Sequence, residues 1–96
     1  MILGKVIGTV WSTRKDEKLV GAKFLIVRHL KLDYTPKDAF TVAVDSVGAG
    51  VGEVVLFAQG SSARQTNVTK NKPVDAVIMA IVDKLDISTK AEENSV

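Results

Sequence analysis

The chain has no cysteine, a single histidine, two prolines and few aromatic residues. Without thiols there are no disulfides and no thiolate metal sites. With His29 alone, a histidine-based metal cluster is excluded as well. No apolar run approaches the roughly 20 residues that a membrane helix needs. The apolar opening, residues 1–10, is interrupted by Gly4, Lys5 and Gly8, and no basic segment precedes it, so no leader is expected. The chain reads as cytosolic. Its charge is also nearly balanced, 13 Lys and Arg against 11 Asp and Glu, a net +2 that does not by itself imply a polyanionic partner.

Catalytic constellations are equally scarce. A nucleophile would need His29 as its base, and His29 lies between Arg28 and Leu30 in an apolar stretch, where an outward-facing structural histidine is expected. Ser61 and Ser62 lack the G-x-S-x-G elbow. The carboxylate pairs Asp16/Glu17 and Glu92/Glu93 sit in polar segments and read as solvated. Asp83/Asp86 flanks Lys84 and reads as a solubility feature. Nothing assembles an active site, and no cofactor is called for.

What is present is a strand-and-turn rhythm: bursts of Val, Ile and Thr separated by Gly, Pro, Asn and Asp. Strands are expected over residues 2–12, within 19–32, and over 39–47 and 53–57. Segments 13–18, 32–38 and 67–73 read as polar turns or loops. Pro36 argues for the second of these, because it lacks a donor and restricts Thr35. Residues 60–66 suit one helical turn with Ser61 as its cap. Residues 74–87 are ambiguous, since Val77, Ile78, Ile81, Val82 and Leu85 fit a helix face as well as a strand. Their β-branching favours a strand. The polar tail 88–96 has no core-forming pattern and is expected to be mobile beyond a single domain, 1–87.

Five strands laid flat would leave exposed edges, and closing them into a barrel removes the edges. The expected fold is therefore all-β, a small five-stranded OB-like barrel with at most one short helical turn. At 96 residues and 10.3 kDa such a chain buries roughly 60–65% of its unfolded surface. With disulfides and metals excluded, self-association becomes a principal source of added stability. A single-stranded nucleic-acid module is the alternative, because OB barrels often bind nucleic acid through basic grooves lined with aromatic platforms. Phe24, Phe40 and Phe57 fall in core-like patterns, however, leaving Trp11 and Tyr34. The short basic run at Arg14 and Lys15 is followed at once by Asp16 and Glu17.

Gly48, Ala49, Gly50, Val51 and Gly52 form the most conspicuous local pattern. Its G-x-G-x-G spacing before a strand matches neither the dinucleotide fingerprint nor a Walker A loop. It suits close backbone approach, either between subunits or at a bulged corner within one barrel.

Several segments in order resemble the EutN/CcmL family of bacterial microcompartment vertex proteins. They are GTVWSTRK at 8–15, LVGAKFLIV at 19–27, AVDSVGAGVGEVVL at 43–56, GSSAR at 60–64, PVDAVI at 73–78 and AIVD at 80–83. The likeness runs from residue 1 to about 87, and the A-V-D-x-V-G-A-G-x-G-E stretch is its most specific part. The resemblance implies a non-enzymatic β-barrel subunit that forms homopentamers at the vertices of a protein shell in the bacterial cytoplasm. Its implied partners are itself and hexagonal shell facet proteins, with no nucleic acid and no membrane. On this reading Gly48, Ala49, Gly50, Val51 and Gly52 pack near the symmetry axis, with Glu53 and Arg64 at or near subunit contacts.

Overall fold

A computed structural model of the chain describes residues 1–12, 15–67, 69–70 and 72–86. Its strands are β1 (Ile2–Val10), β2 (Phe24–Leu30), β3 (Pro36–Asp45), β4 (Val54–Gln59) and β5 (Ala76–Ile81). They close into a barrel in the order β1-β2-β3-β5-β4. Every neighbouring pair is antiparallel except β3 and β5, which run parallel. Two 3₁₀ turns, Glu17–Leu19 and Gly60–Arg64, complete the described elements. Closure gives each strand two partners, which removes the edge problem foreseen from the sequence. The expected tail 88–96 lies outside the described residues.

The local chemistry explains where the elements begin and end. The carboxylate of Asp16 accepts the Lys18 amide at 2.9 Å and starts the first 3₁₀ turn. That turn takes up part of the segment expected as strand before Phe24. Pro36 does not lie in a loop; it opens β3 opposite Leu30. The first residue of a strand is a position where a missing donor is tolerated. The hairpin between β2 and β3 turns at Tyr34, whose φ is 69°. Ser61 does not cap the second 3₁₀ turn. Gln59 holds that position in extended backbone, with no side-chain cap bond, and Gly60 takes the positive φ that starts the turn.

Two layers of packing hold the barrel. Inside it, Phe57 is fully buried among Val6, Leu25, Val27, Val55 and Ile78. Outside β3, β4 and β5, a second cluster joins Val44, Ala58 and Val77 to Ala63 of the second 3₁₀ turn and to Val74. Fully burying one such aliphatic side chain contributes about 1.5–3 kcal/mol. Inward along β3 face the small Thr41 and Ala43, because Phe57 already fills the space opposite them. Phe40 therefore lies outside the core, 66% exposed, contrary to its core-like sequence pattern.

His29 also departs from expectation. It continues the inward alternation of Leu25 and Val27, and its ring packs 5.2 Å from Phe57. Its Nε2 lies 2.7 Å from the Thr41 hydroxyl. It is half-buried and partnered rather than facing out.

Candidate functional site

The loop 48–52 lies where β3 ends and β4 begins, and its backbone is held from several sides. One carboxylate oxygen of Asp45 accepts the amides of Val47, Gly48 and Ala49 at 3.0, 3.1 and 3.2 Å. Three donors converging on one carboxylate reverse the chain just after the strand. Ala49 then drops into the barrel core. Glu53 closes the far side: its Oε1 accepts the Gly50 amide at 2.7 Å, and its own amide donates to the Gly50 carbonyl at 3.2 Å. Two further bonds tie the loop to β1, from the Gly52 amide to the Val6 carbonyl and from the Val6 amide to the Glu53 carbonyl. Val51 is left at the apex, 65% exposed.

The three glycines have different reasons for being glycine. Gly48 and Gly52 take φ values of 77° and 93°, which L side chains rarely adopt. Gly50 takes no positive φ. A Cβ built on it would lie 3.4 Å from Glu53 Oε1, the end of a flexible side chain. Among the described residues nothing forces glycine at position 50.

The structure gathers Gly48, Ala49, Gly50, Val51, Gly52 and Glu53 into one feature, and Arg64 does not belong to it. Arg64 ends the second 3₁₀ turn, beyond the opposite end of β4, where it donates to the Val74 carbonyl at 3.2 Å. The six residues of β4 place these two ends about 17 Å apart at roughly 3.4 Å per residue. Any contact between Glu53 of one copy and Arg64 of another therefore requires different flanks of the two barrels.

A third feature was not singled out from the sequence. Away from Phe24 and Val44, which the second cluster covers, the outer face of β1, β2 and β3 has no covering element among the described residues. The register sets Arg28 beside Lys5 and Phe40, and Ile26 beside Gly8 and Val42. Ile7, displaced at the β1 bulge, adds to the same side and is 50% exposed; Val42 is 41% exposed. A groove of about 330 Å³ continues it along Lys5, Ile7, Leu30, Tyr34 and Pro36. The available signal was apolar character at Phe40, Val42 and Val44, opposite a face whose residues include Ala39, Thr41, Ala43 and Asp45. A strand whose larger residues point outward is a strand with something to cover.

Chemistry is sparse by comparison. Among the described residues no three His, Cys, Asp or Glu side chains gather to hold a metal. The Arg28–Asp38 ion pair, at 4.0 Å, sits on the exposed rim.

Comparison with known proteins gives a consistent result. The family model described as "Ethanolamine utilisation protein EutN/carboxysome" matches residues 1–83. The microcompartment shell vertex protein GrpN of Rhodospirillum rubrum is 48% identical over 86 residues, covering 90% of this chain and 97% of the relative. The carboxysome shell vertex protein CcmL of Gloeobacter violaceus is 41% identical over 90 residues, covering 94% of this chain and 90% of the relative. Among solved structures, the GrpN pentameric microcompartment shell protein from Rhodospirillum rubrum superposes with a TM-score of 0.84 at 46% identity. That alignment covers 92% of this chain and all of the other. A carboxysome subunit, CcmL, superposes with a TM-score of 0.88 at 42% identity, covering 93% of each chain.

Proposed function

This chain belongs to the EutN/CcmL family, and on that premise we propose that it is a structural shell protein of a bacterial microcompartment. Five copies form a ring that caps a vertex of the polyhedral shell in the cytoplasm. Relatives of similar length are shell vertex proteins, and two solved relatives are described as pentameric. The barrel itself has no enzymatic role. It supplies a rigid block of fixed shape, and shape is what a vertex needs: a hexagonal sheet closes only where pentagons replace hexagons. The facets meeting the ring are hexagon-forming shell proteins.

The observation that carries this reading is the bare apolar face of β1, β2 and β3. Exposed apolar patches of this kind mark association surfaces. The opposite side of the barrel has its own cover in Ala63 and Val74, so the asymmetry is built into the subunit. A cyclic ring needs two different patches per subunit rather than one self-complementary patch. The separation of Glu53 and Arg64 along β4 suits that requirement, and both are assigned to subunit contacts. Gly48, Ala49, Gly50, Val51 and Gly52 are assigned to the region of the axis. Gly50 supports this assignment most, because crowding from outside its own chain supplies the reason for glycine that the chain lacks. Residues 1–87 act as the single barrel domain, followed by the tail 88–96.

The test is reconstitution. Hexagon-forming facet proteins from the same operon, co-expressed with this chain, yield closed polyhedral particles by electron microscopy. Without it they yield open sheets, tubes or particles with gaps at the vertices. Identical closed particles in its absence would refute the vertex role.

A further inference from the structure

Beyond the end of β4 a cleft of about 760 Å³ opens to solvent between the two 3₁₀ turns and the loop that leads to β5. Four cationic side chains line it, Lys18, Arg64, Lys70 and Lys72, and among the described residues no acidic one does. Lys18 arrives from the first 3₁₀ turn, more than forty residues before the others in sequence, so the cluster is a product of the fold. The acids nearest to Lys18 in sequence are Asp16, engaged with the Lys18 amide, and Glu17. Neither lines the cleft.

Hydrogen bonds anchor the backbone at Thr69, Lys70 and Lys72. Thr69 is fully buried, and its hydroxyl donates to the Ala63 carbonyl. The Lys70 amide donates to the Thr66 carbonyl at 2.9 Å, and the Lys72 amide donates to the Thr69 carbonyl at 3.0 Å. Arg64 directs one guanidinium N–H at Val74, and a guanidinium carries five such donors. Four like charges facing one concavity repel one another, and a multiply charged anion held between them relieves that repulsion. Thr66 and Asn67, also in the lining, add neutral hydrogen-bonding groups.

We propose that this cleft binds a small, multiply charged oxyanion of the phosphate class, one per subunit. Inorganic phosphates and the phosphate groups of a small phosphorylated metabolite share this chemistry. A nucleic-acid strand fits less well, because strand binding uses aromatic stacking platforms and no aromatic residue among those described lines the cleft. The lining comes from a single chain, and because Arg64 is assigned above to a subunit contact, the cleft adjoins that contact, with Lys18, Lys70 and Lys72 as its remaining cations. In an assembled vertex it would recur five times and hold phosphorylated anions at the shell.

The experiment is calorimetric titration of the full-length protein at low ionic strength with pyrophosphate, and in parallel with a sugar bisphosphate. Saturable binding at one site per chain is expected, with the better ligand identifying the source. Lys70→Gln with Lys72→Gln weakens it by about tenfold or more, since charge-assisted contacts are lost. Lys37→Gln with Lys84→Gln removes the same net charge elsewhere and changes affinity by less than about twofold, as screening predicts for distant charges. Lys18→Gln, on a separate element, weakens binding in the same direction and guards against misfolding of the 64–72 loop. Equal losses in the two double variants, one anion per ring, or no saturation into the millimolar range would overturn the proposal. So would a single-stranded oligonucleotide or a poly-glutamate peptide that binds at least tenfold tighter through the same lysines.

Discussion

Replacing Gly4 with alanine tests the packing of the closed barrel at a point where a Cβ has no room. Gly4 sits in β1 between two partners, opposite His29 on β2 and Val55 on β4. A Cβ built there would fall 2.3 Å from Val27 Cγ1, 2.8 Å from the Arg28 carbonyl oxygen and 3.1 Å from Phe57 Cε1. The second contact decides the outcome, because that oxygen belongs to the backbone of a strand paired on both sides. Val27 and Phe57 are fully buried and have no space to retreat into. Adding atoms to a well-packed core typically costs about 1–3 kcal/mol, and a clash with backbone belongs at the upper end, about 3 kcal/mol. Alanine normally gains about 0.5–1 kcal/mol over glycine inside a strand, so the clash must exceed that gain. For a domain of this size 3 kcal/mol lowers the melting temperature by roughly 12–24 °C. Gly8→Ala is the internal control: its nearest contact is the flexible Ile26 Cδ1 at 3.5 Å, and a change within about 0.5 kcal/mol is expected. Both are read by circular dichroism melts at matched subunit concentration, because assembly raises apparent stability by mass action. A Gly4→Ala melt within about 3 °C of the parent refutes the reasoning, as does equal destabilisation by Gly8→Ala.

Three further outcomes follow from the surfaces. Phe40→Asp, at an exposed position on the bare face, leaves the β-sheet spectrum intact and dissociates the ring on size-exclusion with light scattering; an intact ring would place the interface elsewhere. Gly50→Val should likewise keep the fold and lose the ring, whereas Gly52→Ala, at a φ of 93°, lowers the barrel's own stability by about 1–2 kcal/mol in a denaturant titration. Loss of folding in Gly50→Val would favour a corner inside one barrel, and an unaffected ring would refute both readings. The Asp33 carboxyl is held below its ordinary range first by the Thr35 hydroxyl, at 2.6 Å, then by the Thr35 amide, with a smaller attraction from Lys31. Its contribution is full above the ordinary carboxylate range and is lost as pH falls through the depressed value. Thr35→Val, followed by carboxyl NMR titration, moves that midpoint up, and an unmoved midpoint would assign the shift to other groups.

The strands were legible because β-branched bursts between turn residues encode them directly, and closure followed from counting edges. Residues 74–87 carried both periods at once, and only pairing of β5 with β3 and β4 makes Ala76–Ile81 a strand. Pro36 was misplaced because a missing donor marks a loop or the first residue of a strand equally well. Phe40 and His29 were turned the wrong way for one shared reason. Alternation defines two faces but not which one meets the core, and that choice depends on Phe57 filling the interior from another strand. The glycine loop could be located from its spacing. The sequence could not separate Gly50, free of positive φ, from Gly48 and Gly52, because that distinction lies in the backbone. The bare sheet face showed in the sequence only as the apolar side of β3, and the four-cation cleft not at all, because each joins residues from separate elements.

The central claim is that five copies of this barrel make one vertex, and native mass spectrometry of the purified full-length protein at micromolar concentration tests it most directly. The account predicts a dominant species at five times the 10.3 kDa subunit mass, persisting on dilution through the micromolar range. A strictly monomeric species under those conditions would contradict it.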